Sequence, residues 1–504
     1  MNMPTQTTIY FLLRTISPIH VGSDEVYEPT GFVVDEQKKQ LISFDAADFI
    51  GMLDSEALEE FSAICRKGTP QSLIEIYRFM NRHKDLADGK PVAVSDAFVA
   101  HFQETLALQG ENNILQNLNK YKIKRTAFNP HEDNPYIPGS SLKGSIRTAV
   151  LNYRNKKQSV PRYQKNDSRK MEENLVGGSF ATDPFRLIKV SDFAPVGDIE
   201  RRIVYGVNRK KKPSNFEARG PEQIFEVVAT GSVFLGSITI SSVPPNAGIN
   251  KPVTAKELIT ALGQFFGEEK KREDTQLKAV GIPPVSLDLS ENQTPLRLGF
   301  HSGAECVTVE GHRQIKIMKV HGEKPDTEKL ATTFWLAASS KNATNQQVTP
   351  FGWAVLEELS QREAANLQEE LEQKKRQKKE QRQKLLMQQQ REKELREEQL
   401  HAQQEEKTRL KAEKEIAAEK ERQALAAMSE AERYIHAITK TGTPKNEIID
   451  AYNKLDGFDP ADQKIIAAAL KQYWVSIDKW KVKPKQEKQW KKVQKVKAIL
   501  GEAC

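Results

Sequence analysis

The sequence predicts an α+β fold, extended by a long charged helix and closed by a small all-α domain, and three observations carry that reading. Up to about Gly352, short runs rich in β-branched and aromatic residues alternate with Gly/Pro turns and occasional helices, without the regular spacing of βαβ units. Across residues 353–441 there are 89 positions with neither Gly nor Pro, so that stretch is expected to be mostly helix. Beyond it, three helix-start signals define a small bundle. The expected boundaries are 1–358, 359–428 and 429–504.

Taken in order, residues 8–16 are β-branched and aromatic enough for a strand, which Ser17-Pro18 ends. Residues 31–35 and 39–44 read as a hairpin around a charged turn, Asp45 is placed to cap a helix, and helical sequence continues to about Arg82. Residues 222–231 and 232–240 are two strand-like runs suited to a sheet packed on one face. Leu258, Leu262 and Phe265 have helical spacing. Leu356, Leu359, Leu367 and Leu371 give the Gly/Pro-free stretch an apolar stripe, but residues 372–384 have none, and Leu395, Leu400 and Leu410 keep no heptad.

A charged helix held by Glu/Lys/Arg pairs at i,i+4, each worth about 0.2 to 0.5 kcal/mol, therefore fits better than a coiled coil. At 1.5 Å per residue, about 70 such residues would span roughly 105 Å. Ser429 to Glu432 fits a capping box, while Thr443-Pro444 and Asp459-Pro460 each place a capping residue before a first-turn proline. Residues 479–497 contain nine lysines with Trp480 and Trp490, a mixture able to contact phosphate or another protein's acidic face.

Composition narrows the function. Hydrophobic residues are 38% and charged residues 29%, so part of the chain lacks a core, yet a fibrous repeat and a fully disordered protein are both excluded. The 76 Lys+Arg and 68 Asp+Glu give +8, of which residues 353–504 hold 32 basic and 27 acidic. Net charge alone does not argue for nucleic acid; local clusters must. Cys65, Cys306 and Cys504 are odd in number and far apart, against a disulfide framework or structural zinc. No apolar run approaches the roughly 18 residues of a membrane span. The expectation is a cytoplasmic protein with no membrane and no cofactor.

The chemistry-bearing segment is residues 135–151, PYIPGSSLKGSIRTAVL. Pro138-Gly139 forces a turn, Ser140 or Ser141 can cap, and a helix can run to about Tyr153. The start of a helix favours an anion. Lys143 and Arg147 add cations four apart on one face, and Gly144 between them removes bulk so that a phosphodiester backbone can approach. The GxxxxGK[ST] pattern does not fit, which disfavours a nucleoside triphosphatase. A second basic element is residues 200–213: Arg201, Arg202, the Ile203-Tyr205-Val207 alternation of a strand, then Arg209, Lys210 and Lys211. Lys120, Lys122, Lys124 and Arg125 form a weaker patch.

Residues 136–147, YIPGSSLKGSIR, resemble the glycine-rich signature of the RAMP proteins, RNA-binding subunits of type III CRISPR effector complexes. Residues 16–23 (ISPIHVGS), 183–192 (DPFRLIKVSD) and 350–353 (PFGW) lie in matching order, and the combination is similar to the Csm-type subunit that caps the crRNA 3′ end. The resemblance covers roughly residues 8–358. It implies a ferredoxin-like or RRM-like core elaborated by insertions, RNA contacts through the glycine-rich corner and through His20, Gly22, Ser23 and Arg186, and a thumb hairpin over residues 200–222. Implied partners are crRNA, target RNA and other Csm-type RAMP backbone subunits, with a nuclease or other factor recruited by the C-terminal extension. The RRM aromatic signature is absent, so backbone contacts are expected to dominate over base stacking.

Two rival readings remain at this level. One is a metal-dependent RAMP endoribonuclease using Asp24 or Glu28, with Glu25, or His131, Glu132 and Asp133, as further candidates; His20 as an acid/base is a weaker variant. The other is a helical scaffold whose important part is the C-terminal third.

Overall fold

Gln6–Thr15 (β1) forms a strand whose Phe11, Leu13 and Thr15 turn one face inward. The computed structural model describes residues 6–130, 132–158, 167–218, 220–318, 324–440, 445–484 and 486–502. The layer around β1 is completed by Gly139–Gln158 (α1), Ile188–Val190 (β2), Val233–Ser241 (β3), Ala255–Ala279 (α2), Gln293–Arg297 (β4) and Trp353–Leu359 (β5). β1 pairs antiparallel with β3 on one side and β5 on the other; β2 pairs with the far edge of β3, and β4 with the far edge of β5.

That register makes β1–α1–β2 a split βαβ unit with β3 between its strands, and β3–α2–β5 a second one with β1 between. This is the ferredoxin-like topology, with β4 as an added edge strand. α1 contributes Leu142, Ile146 and Ala149 to the core, α2 contributes Leu258, Leu262 and Phe265, and both pack with Phe11, Leu13 and Leu356. Each large apolar side chain so buried contributes about 1.5 to 3 kcal/mol.

The insertions build a second sheet. Its strands come from between β1 and α1 (Gly22–Val26, Phe32–Asp35, Gln40–Ser43, Pro91–Ala93, Ile123–Thr126), between β2 and β3 (Arg201–Lys210, Gln223–Val228), and between β4 and β5 (Thr333–Ala338, Val348–Pro350). Residues 222–231 and 232–240, adjacent in sequence, thus go to different sheets rather than one. The expected thumb also needs correction: Arg201–Lys210 is an interior strand, paired with Gln223–Val228 and Thr333–Ala338, because Ile203, Tyr205 and Val207 join the apolar core of this sheet.

After β5, Gln361–Ala427 is a single helix of 67 residues. Ser360 opens it, accepting from Glu363 N–H at 3.3 Å while the Glu363 carboxylate accepts from Ser360 N–H at 2.9 Å. Glu370–Lys374 and Arg409–Glu413 are i,i+4 pairs at 2.5 and 3.6 Å, and Met387, Leu395, Leu410 and Ile416 stand exposed. The chain divides into two compact units, Met1–Arg376 and Gln377–Cys504. The second has its own core, including Ile438, Ile448, Leu455, Leu470, Trp474 and Val496. Ser429 and Glu432 form the capping box, and Asp459 caps Pro460–Ser476; Thr443-Pro444 lies outside the described residues. No described helix is long and apolar enough to cross a membrane.

Candidate nucleic-acid interface

The glycine-rich corner starts α1, but its capping differs from the expectation that Ser140 or Ser141 would do it. Gly139 is the first helical residue, and its N–H donates to Asp192 Oδ1 at 2.8 Å; Ser141 and Leu142 N–H donate to the Pro138 carbonyl at 3.0 and 3.3 Å. The Asp192 carboxylate therefore satisfies the Gly139 N–H at this helix N-terminus and complements its dipole. The two glycines serve different ends. A Cβ on Gly139 would lie 2.4 Å from the Val190 carbonyl oxygen, so only glycine lets α1 start against β2. Around Gly144 a Cβ would meet nothing within 4 Å.

Gly144 and Ser140, four apart on α1, are exposed, with Ser141 and Lys143 half-buried beside them. Gly263 and Gly267 of α2 are open as well, so openness alone does not single out Gly144. What does is its position where the motif segments meet. Lys143 Nζ donates to the Ile188 carbonyl at 2.7 Å, and Arg147 pairs with Asp183 at 2.8 Å and Glu172 at 2.9 Å while lying 5.0 Å over the Phe185 ring. Segment 135–147 is thereby fastened to segment 183–192. Likewise Trp353 N–H donates to Ser17 Oγ at 2.9 Å and Gly352 N–H to the Pro18 carbonyl at 2.9 Å, joining 16–23 to 350–353. Ser145 Oγ donates to the Arg297 carbonyl at 3.0 Å, and Arg297 is the register partner of Trp353, which links the two pairs.

Charge at the corner is unequal. Burial opposes the Arg147 charge, but Glu172 and Asp183 outweigh it and its pKa is raised; the guanidinium is neutralised within the fold. Burial lowers the Lys143 pKa, with Asp183 opposing and Arg147 adding to it. Arg186 is exposed, its guanidinium 5.8 Å over the exposed ring of Phe180. Gly22 is exposed, and the half-buried Ser23 donates to the Arg125 carbonyl at 3.3 Å.

Several residues expected at an RNA surface are interior instead. Arg201, 3% exposed, pairs with Glu226 and Asp133, both at 3.0 Å, because its strand is central. Lys211 is buried against Glu305 at 2.6 Å. Arg209 donates to Asn345 Oδ1 at 3.1 Å and to the Asn208 carbonyl at 2.9 Å. Arg202 is exposed but paired with Glu200 at 2.7 Å, and Lys210 donates to Ser214 Oγ at 2.9 Å. In the weaker patch, Arg125 pairs with Asp133 at 2.7 Å. The acidic candidates separate too: Asp133 neutralises Arg125 and Arg201, Glu132 pairs with Lys375 at 2.9 Å, and His131 lies outside the described residues. Asp24, Glu25 and Glu28 are exposed, and no cluster of metal-ligating residues occurs among the described residues.

His20 is also interior, 3% exposed, its Nδ1 donating to the Glu226 carbonyl at 2.8 Å and its ring 4.8 Å from Phe225. Burial lowers its pKa to about 4, the Glu226 bond opposing and Lys124 adding to the shift. A ring kept neutral in the fold but free to titrate when unfolded, near 6.5, destabilises the fold as pH falls from about 6.5 to 4. The expected outcome is an unfolding free energy that drops by roughly 2 kcal/mol from this group between pH 7 and 5, and drops less in His20→Gln.

Sequence reasoning missed two buried acids that hold motif segments and strands together. Glu226 accepts from Tyr27 OH at 2.9 Å, Arg201 at 3.0 Å and Thr126 N–H at 3.1 Å; Glu273 accepts from Trp353 Nε1 at 2.6 Å and Arg297 at 2.5 Å. Glu226 stands between Phe225 and Val227 in an apolar run, a signal that its carboxylate needs a buried partner.

A ferredoxin-like layer with a glycine-rich corner fastened to three other motif segments defines a class, and the chain belongs to it: the RAMP superfamily model matches residues 12–492, well past the boundary at 358. The relatives it matches are of the Csm type. It is 27% identical over 200 residues to the CRISPR system Cms protein Csm5 of Streptococcus thermophilus, covering 37% of this chain and 52% of that one. To the Csm5 of Methanocaldococcus jannaschii it is 26% identical over 188 residues, covering 35% and 40%. The chain thus spans about half the length of the first of these relatives or less. Among solved structures it is similar to a chain of the Csm–crRNA–target RNA ternary complex of a type III-A CRISPR-Cas system (TM-score 0.45, 18% identity, 69% of this chain and 100% of that one) and to Csm5 of T. onnurineus (TM-score 0.40, 18% identity, 68% and 99%).

Proposed function

We propose that this chain is a non-catalytic crRNA-binding subunit of a type III CRISPR ribonucleoprotein, capping the 3′ end of the guide and supporting complex assembly and crRNA maturation in antiviral defence. Its partners are then crRNA, the target RNA paired with it, and other Csm-type RAMP subunits. Membership of the superfamily and the relatives' place in a CRISPR system support the class of function. The observation that carries the RNA contact is Gly144: a glycine inside a helix costs about 0.5 to 1 kcal/mol relative to alanine, and here no packing requires it. A sugar-phosphate chain lying across Ser140 and Gly144, beside Lys143, gives the missing side chain a use.

The geometry separates two cations that the sequence treats alike. Lys143→Ala should weaken guide RNA binding and reduce the slope of log affinity against log salt by about 0.7, the value for one single-strand phosphate contact. Arg147→Ala should leave the slope unchanged, since Glu172 and Asp183 already neutralise it. Fluorescence anisotropy across a salt series reads both, and a slope that Lys143→Ala does not alter contradicts the phosphate role.

A further inference from the structure

The second unit carries a lysine-rich surface of its own. Between Pro460–Ser476 and Glu487–Leu500, residues 479–483 run Lys-Trp-Lys-Val-Lys. Trp480 and Val482 pack against the apolar core of this unit, and Trp480 lies 6.4 Å from Trp474 with their rings stacked. The alternation leaves Lys479, Lys481 and Lys483 exposed. Lys488 is exposed in the first turn of the helix that follows.

Of the acids around this segment, Glu487 pairs with Lys491 at 2.7 Å, Asp456 with Lys495 at 2.6 Å, and Glu502 with Lys471, while Asp478 is exposed beside Lys479. Among the described residues no carboxylate pairs with Lys479, Lys481, Lys483 or Lys488. Four like charges held on a short, well-anchored segment repel one another, and a bound polyanion removes that repulsion. Trp490 is half-buried on the helix that follows.

We infer that this lysine-rich segment is a second, sequence-independent nucleic-acid contact, taking the phosphodiester backbone of a strand other than the portion of guide held at the glycine-rich corner. Protein–protein interfaces are depleted in lysine at their cores, whereas lysines bind phosphates through counterion release, so an acidic protein partner is the weaker match. The contact reads charge and not sequence. It goes beyond the proposed guide contact and does not depend on Gly144.

The test uses the full chain and a variant carrying Lys479→Gln, Lys481→Gln, Lys483→Gln and Lys488→Gln, whose side chains bear no packing. Photo-crosslinking to thio-substituted single-stranded RNA, with single-stranded and duplex DNA as parallel arms, should label residues 479–491, and the glutamine variant should lose that label. On single-stranded RNA the variant should bind at least about tenfold more weakly near physiological salt, with a salt slope smaller by about 2.8 for the lost single-strand contacts. The matching arginine variant should restore both. The arm with the highest affinity tells RNA from DNA as the strand. Absence of label at 479–491, or an unchanged slope in the glutamine variant, overturns the inference. Crosslinks at residues 139–147 report on the corner separately, so failure of one contact is distinguishable from failure of the other.

Discussion

Replacing Glu226 with alanine should destabilise the first unit by about 3 kcal/mol. The carboxylate is fully buried and receives Tyr27 OH, Thr126 N–H and Arg201, with Arg125 at 3.9 Å. Burial pushes its pKa up, and Arg201 and Arg125 oppose that. Removing the acid strands Arg201 in the interior with only Asp133 as counter-charge, which is why the expected cost lies at the low end of the roughly 3 to 5 kcal/mol for breaking a buried pair. The double variant Glu226→Met with Arg201→Met should recover part of the loss, because Arg201 is no longer stranded while Tyr27 OH and Thr126 N–H still lose their acceptor. Hydrogen exchange of Arg201–Lys210 and Gln223–Val228 reports this unit selectively. If Glu226→Ala exchanges at the wild-type rate there, the network does not stabilise the sheet.

Gly144→Glu should have the largest effect on function while leaving the fold intact. A Cβ at this position meets nothing within 4 Å, and both glutamate and alanine have higher helix propensity than glycine. A carboxylate placed on the proposed path of the guide backbone repels phosphate, so RNA affinity should fall by at least about tenfold, or 1.4 kcal/mol. Gly144→Ala should be milder: a gain of about 0.5 to 1 kcal/mol in stability with a measurable loss of RNA binding from bulk alone. A stabilised variant that binds less well is an outcome that a purely structural glycine cannot give. If both variants bind RNA as the wild type does, the corner is not the contact.

Particular residues show why some of this was legible in the sequence. Ser17-Pro18, Pro138-Gly139 and Asp183-Pro184 impose local backbone geometry, so the motif segments could be delimited before their contacts were known. The long helix was legible for the same local reason, the absence of Gly and Pro. Pairing across hundreds of residues was not: nothing in residues 222–240 shows that Gln223–Val228 joins Arg201–Lys210 while Val233–Ser241 joins β1. Charged residues were the least legible. Arg201 and Lys211 read as surface cations because their partners, Glu226 and Glu305, lie 25 and 94 positions away, and Asp192 could not be recognised as the cap of a helix that starts 53 residues earlier.

The most direct measurement is an electron cryo-microscopy map of the ribonucleoprotein purified with its native RNA through this subunit. The guide backbone should lie across Ser140 and Gly144 with a phosphate within reach of Lys143, and the RNA strand should be uncut there. A map with no nucleic acid near residues 139–147, or with the strand cleaved at that corner, would contradict the account.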